Sequence, residues 1–319
     1  MAQAQNANDP AVRPVRLTIE ACKNDDVSLM VLAISLASKP ESRNTVQEVI
    51  QAGLNRSLRR TAPKILSYLL DHGADVGTVY AHMIGPSEEP GKPSLEMLEM
   101  LIAHGWDIDA RHPRTSWPLL WSVLRYPDLV EWCLAQGASV YLPGDTPPRN
   151  ANGVGETPRE SLLVCAAKHA TVATFELLRE RGAPLERRAL HEAAEFAAIY
   201  ALPYGSAADP AHVALFRERV DMVRHLVDVV GLDVNSQEAW PGKCRGTPLY
   251  YIARRNNRKD AREVIWFLLD RGADPDLGST MGDLQIESAI KDAEKHSNTR
   301  FLEAVQEWRD RQHDNVNTA

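Results

Sequence analysis

The side chains best suited to acid and base chemistry gather in one stretch of the chain. His191, Glu192 and Glu195 fall within five residues, and Tyr200, Tyr204 and His212 follow. Imidazole, carboxylate and phenol groups at this density can hold protons or pass them to a bound molecule. That chemistry would suit a cofactor-independent biosynthetic enzyme (a cyclase, isomerase or pericyclic catalyst) acting on a hydrophobic small molecule. Such reactions need shape, desolvation and one or two proton-transfer groups rather than a linear motif. A second set is aromatic and cationic: Trp117, Trp121, Tyr126, Tyr250, Tyr251, Arg254 and Arg255. Aromatic rings with a few arginines serve both protein hot spots and apolar ligand pockets. Arg254 also opens a basic run that ends at Lys259. The run reads either as a solvated turn or as a dock for an acidic partner or a ligand carboxylate.

The familiar catalytic and cofactor motifs are missing. There is no HExxH, no CxxC pair, no GxGxxG after a strand and no GxSxG elbow. Gly85 to Lys92 imitates a phosphate loop, but its spacing is one residue too long and Pro93 stands where Ser or Thr is required. The ten histidines are scattered. His72 and His104 each precede a glycine, where a cation suits a helix C-terminus better than a metal site. Neither a metal nor a cofactor is expected. The net charge of −7 argues against a nucleic-acid partner. No apolar run approaches the length of a membrane span, and no secretory signal opens the chain. Cys22, Cys133, Cys165 and Cys244 lie far apart. Buried, reduced thiols and a cytoplasmic setting are therefore expected.

The elements that must position these groups are announced by a recurring phrase. Leu69–Val76, Leu101–Ile108, Cys133–Val140, Leu177–Pro184, Val227–Val234 and Leu268–Pro275 each run from an apolar helix end through a glycine to a small or extended piece. The glycines are 73, 105, 137, 182, 231 and 272, at intervals of 32, 32, 45, 49 and 41. Glycine there can adopt the left-handed conformation that ends a helix. Thr247-Pro248-Leu249-Tyr250-Tyr251-Ile252-Ala253 precedes the last copy. Arg188–Ala194, Ser161–Ala167 and Trp117–Val123 are looser versions of the same start. Ile65, Leu66 and Leu69 share one helical face, as do Ile265, Leu268 and Leu269. Thr157 with Glu160, and Asp260 with Glu263, read as capping boxes.

These phrases together resemble the ankyrin-repeat family over roughly Thr61 to Leu277. The resemblance implies an all-α, ankyrin-type helical solenoid of about six to seven degenerate repeats with terminal capping helices. It also implies that His191, which keeps the family's histidine, bonds structurally between turns. First helices and hairpins would line a concave groove carrying Trp117, Trp121, Tyr126, Glu192, Tyr250, Tyr251, Arg254 and Arg255. The phase of Trp132 and Trp266 favours the core, and Trp117, Trp121 and Tyr251 suit groove and core equally.

Residues 1–14 read as a disordered N-terminus and 15–60 as a helical cap or degenerate repeats. Residues 61–278 form the array, 279–313 a C-terminal helical cap and 314–319 a disordered tail. Insertions are expected at 141–156 and 196–217, with a short Pro/Gly loop at Glu88–Pro93. The expected function is binding of a protein partner in the aromatic-rich groove. The alternative is the enzyme described above, its pocket under the 196–217 insertion.

Overall fold

The small-residue turns are helix terminators in the computed structural model, which describes residues 14–85, 91–111, 117–142, 161–203, 209–240, 243–255, 259–281 and 284–318. Gly73, Gly105, Gly137, Gly182, Gly231 and Gly272 all have φ between 79° and 88°. At Gly272 the backbone closes a doubly bonded turn. Ala273 N–H donates to Leu268 O at 3.0 Å and Gly272 N–H to Leu269 O at 3.0 Å. The same pair of bonds ends the helices before Gly73, Gly105, Gly137 and Gly182. The acid of the phrase then folds the chain onward. Asp75, Asp107, Asp233 and Asp274 each accept, through a side-chain oxygen, the N–H two residues ahead.

The described chain is mostly helical, and none of its helices is long and apolar enough to cross a membrane. It divides into two units, Met1–Ser139 and Val140–Ala319.

The first unit begins with α1 (Pro14–Asn24), α2 (Val27–Ala37), α3 (Val46–Arg60) and α4 (Pro63–Asp71). Thr45 and Glu48 exchange the two bonds of a capping box at the start of α3. Helix α4 has alanine at its N-cap, which offers no acceptor. Asp25 supplies one instead, taking the N–H groups of Lys64 and Ile65 at 3.2 and 3.0 Å. Its negative charge also suits the positive end of the helix dipole. Ile65, Leu66 and Leu69 are fully buried, each contributing roughly 1.5–3 kcal/mol. Helix α5 (Leu95–Ala103) packs on α4, and the single-turn α6 (Leu119–Ser122) packs on α7 (Pro127–Ala135).

The second unit is a two-row stack. One row holds α8 (Leu162–His169), α10 (Arg188–Tyr200), α12 (Pro248–Ala253) and α14 (Ala289–Lys295). The other holds α9 (Val172–Glu180), α11 (Pro210–Asp228), α13 (Arg262–Asp270) and α15 (Thr299–Thr318). Within each row every helix touches the next. Buried Ala166, Ala167, Ala193, Ala194, Ala253, Ala289 and Ala293 allow the first row its close spacing. Strand β1 (Leu202–Pro203) pairs with β4 (Lys259–Asp260), while β2 (Glu238–Trp240) with β3 (Lys243–Arg245) and β5 (Ser279–Met281) with β6 (Leu284–Ile286) are antiparallel hairpins. Their registers pair Ala239 with Cys244 and Thr280 with Gln285.

Side chains from later elements satisfy the carbonyls that end the first-row helices. The buried Arg219 on α11 donates to Lys168 O at 2.6 Å and Ala170 O at 2.9 Å. Lys259 donates to Ile199 O at 2.7 Å. Asn298 donates to Ala253 O and Arg255 O at 2.8 and 3.0 Å. Orphan carbonyls with negative partial charge select such donors, and cations most of all.

Several expectations change here. Much of 196–217 is helix: α10 runs to Tyr200 and α11 begins at Pro210. Ala201, Phe216 and Val220 form a buried cluster in this segment, with Leu202 and Ala261 against them. The Asp260–Glu263 capping box does not form. Asp260 is held in β4 and grips the Arg262 guanidinium, while Glu263 pairs with Arg224 at 2.9 Å. Helix α15 continues to Thr318, beyond the boundary expected at 313. Most of 141–156, Glu88–Pro90 of the short loop, and the proposed Thr157–Glu160 box lie outside the described residues.

Candidate binding site

The first row carries a line of buried carboxylates, each facing a cation. Glu192 on α10 accepts from Arg188 Nε at 3.0 Å and Nη2 at 2.8 Å, and Lys168 Nζ lies 4.0 Å from its other oxygen. Glu195, one turn along, pairs with Arg255 just beyond α12. Asp292 on α14 lies 3.9 Å from Arg254 Nε and 3.3 Å from His296 Nδ1. Helix α12 therefore stands between two acids, and its consecutive arginines turn to opposite neighbours.

Exposure separates the two signs of charge. The Glu192, Glu195 and Asp292 side chains are 5%, 8% and 3% exposed, whereas Arg254 and Arg255 are 50% and 43% exposed. Solvent meets guanidinium over buried carboxylate. Taking these acids from water is expensive, so such pairs are weak devices for stability and need another reason to exist. Arg254 also lies over the Tyr250 ring at 5.7 Å, an arrangement that suits a planar guanidinium. Burial and the negative charge of Asp292 push the Tyr250 phenol above its usual pKa. Between these groups is a recess of about 240 Å3 lined by Glu195, Tyr250, Tyr251, Arg254 and Arg255. A narrower cleft of about 30 Å3 beside Ala198, Ile252, Asn298 and Phe301 has room for only about one or two waters.

His191 is tied into the framework. Its Nδ1 lies 3.1 Å from Arg187 O and its Nε2 2.9 Å from Ser236 O, with the ring fully buried. Burial holds its pKa below the ordinary histidine value. A neutral imidazole has one N–H, so it donates to one of these two carbonyls at a time. The Tyr251 ring meets it edge-on at 5.2 Å. His212 bonds through Nε2 to Tyr200 O at 2.9 Å. Tyr204 lies outside the described residues. The acid–base set expected from the sequence is thus divided. Glu192 and Glu195 sit in the charged row, His191 is bonded to two carbonyls, and His212 fastens the end of α10.

The aromatic set divides as well. Tyr250, Tyr251, Arg254 and Arg255 meet at the recess, although both tyrosines are largely buried. Trp117, Trp121 and Tyr126 belong to the first unit. Trp121 is 6% exposed and is core there, because its one-turn helix turns the ring inward. Trp117 and Tyr126 are half-buried, and Lys92 lies 5.7 Å over the Tyr126 ring. Trp132 and Trp266, expected in the core, are half-buried. Trp266 donates to Ala304 O at 2.8 Å, with Arg262 and Arg311 over its ring.

Sequence reasoning missed Lys168, Arg188 and Asp292. Arg188 and Glu192 had a readable signal, an i,i+4 pair of opposite charge. Asp292 had the same spacing to His296, but its contact with Arg254, from another helix, left no signal.

Cys22, Cys133 and Cys165 are buried free thiols. Burial pushes Cys22 up to about 11 and Cys133 up to about 12, so both stay protonated and unreactive. Among the described residues no three His, Cys, Asp or Glu side chains gather as a metal site. Compared with known proteins, the chain matches no family model and no curated protein.

Proposed function

We propose that the chain is an ankyrin-type binding protein and that the first-row face of its second unit holds a protein partner in a concave, aromatic-rich groove. The observation that carries this reading is the open recess where Tyr250, Tyr251, Arg254 and Arg255 converge over buried acids. Ring and guanidinium surfaces of this kind form the energetic centres of protein interfaces. The two-row stack, the repeated glycine turn and the intervening hairpins support the repeat-type scaffold. Of the described acid–base candidates, Glu195 alone lines either of the two recesses described above, which favours binding over catalysis.

The test is photo-crosslinking with the full chain. A benzophenone side chain at Lys168 or Lys291, in the first row, should capture one protein of defined mass from its native extract. The same group at Val229, which is 67% exposed at the end of α11, should capture none of it. Equal capture at all three positions, or no capture in the first row, would overturn the proposal.

A further inference from the structure

We infer that the recess at Arg254 and Arg255 takes a carboxylate from an acidic peptide segment of the partner, an assignment that rests on the groove reading above. The argument begins with the sign of the accessible charge. In the paired groups around the recess four cations, Lys168, Arg188, Arg254 and Arg255, stand against three carboxylates, Glu192, Glu195 and Asp292. The carboxylates are buried and the two arginines at the recess are about half exposed. A ligand arriving from water therefore meets donors first.

The donors are also available. A guanidinium carries five N–H groups in a rigid fork. Among the described residues, Arg254 makes no side-chain hydrogen bond, and its nearest acid oxygen is at 3.9 Å. Tyr250 beneath it and Glu195 beside Arg255 fix the two planes in place. Glu287, whose charge reaches Tyr250, is engaged by Lys295 at 3.1 Å. Pre-positioned forks suit carboxylate, which accepts two parallel bonds.

The balance of charge selects the class of anion. These paired groups carry one more cation than carboxylates, which a single carboxylate offsets, whereas a phosphate dianion would overcompensate them in a half-buried setting. The recess of about 240 Å3 admits an Asp or Glu side chain together with its backbone. The two tyrosines supply apolar walls for the methylene groups.

The test uses the full chain and fluorescence anisotropy with labelled hexaglutamate, hexaglutamine and hexalysine peptides. Hexaglutamate should bind, with affinity falling as salt rises. Arg254→Gln should weaken it about tenfold, the scale of one charge-assisted bond, and Arg254→Lys should weaken it less. Arg254 is exposed and makes no such bond at home, so this variant should keep its fold, as circular dichroism would verify. Hexaglutamine binding equally well, or Arg254→Gln binding like wild type, would overturn the assignment, as would inorganic phosphate competing as well as acetate. If the first-row crosslinks persist while hexaglutamate fails, this inference falls and the groove reading stands. If hexaglutamate binds at Arg254 but no partner is captured, the groove reading falls and the carboxylate site stands.

Discussion

Asn235 clasps the turn that contains Asp274 from both sides. Asp274 N–H donates to Asn235 Oδ1 at 2.8 Å, and Asn235 Nδ2 donates to Gly272 O at 2.8 Å. Asn235 stands four residues after Gly231, and the equivalent position after other glycines does related work. Asp109, four after Gly105, accepts Ser139 N–H through both oxygens at 3.1 Å. Tyr141, four after Gly137, donates to Gly182 O at 2.6 Å. One turn thus fixes the next through side chain to backbone, a connection that adds to helix packing.

Replacing Asn235 by Ala removes both bonds. At roughly 0.5–1.5 kcal/mol each, the loss should be about 1–3 kcal/mol. Asn235→Asp keeps the acceptor, loses the donor and should fall between. Urea unfolding followed by circular dichroism measures this, and equal midpoints for Ala, Asp and wild type would remove the clasp from the account.

Gly272 gives a second test, because its requirement is conformational and not steric. Its φ is +86°, and a Cβ added there would meet nothing within 4 Å. Gly272→Ala should therefore destabilise by about 1–2 kcal/mol, the left-handed penalty for an L-residue. Gly272→Asn should lose less, since Asn tolerates that region. Calorimetry should rank the melting temperatures Gly, Asn, Ala. A variant with Ala as stable as wild type would mean that the turn relaxes to another conformation.

These cases show what was legible in the chain. The glycine turns were readable because a local backbone demand has a local residue signature. The apolar faces of α4 and α13 were readable for the same reason, since Ile65 and Leu69 are neighbours in sequence as well as in space. Trp121 was ambiguous because a one-turn helix has too few residues to define a face. The 196–217 segment was read as an insertion because Tyr200, Pro203 and Pro210 look like loop residues. Tyr200 instead ends one long helix, Pro203 lies in β1 and Pro210 starts the next helix. Half of the site was visible as the Tyr250–Arg255 run. The contact of Asp292 with Arg254 was not, because a pairing between helices leaves no spacing to detect.

Arg219 is the partner hardest to foresee, reaching carbonyls 51 and 49 residues away. Its side chain is 1% exposed. Arg219→Ala should leave the Lys168 and Ala170 carbonyls without it inside the fold, at a loss of about 3–5 kcal/mol. Arg219→Lys keeps the charge but cannot span both carbonyls, and should recover part of the loss. Hydrogen exchange should localise the damage to α8 and α11. A uniform loss of protection across both rows would argue for general unfolding instead.

His191 makes stability depend on pH with a defined sign. Burial is the main reason its pKa lies below the ordinary value, and the two carbonyl contacts oppose that shift only in part. The unfolded chain, with histidine near its ordinary pKa of about 6.5, then binds the proton more readily than the fold does. The contribution is complete above that value and is lost as pH falls through the window down to the folded pKa. His191→Gln keeps a donor toward Ser236 O but does not titrate. The stability difference between wild type and His191→Gln should shrink as pH drops from about 7.5 to about 5.5. Every other ionisable group is common to both proteins and cancels in the difference. Urea midpoints at several pH values give the readout. A difference that stays constant would mean that His191 takes up its proton equally in both states, and one that grows toward low pH would mean that the fold holds it charged.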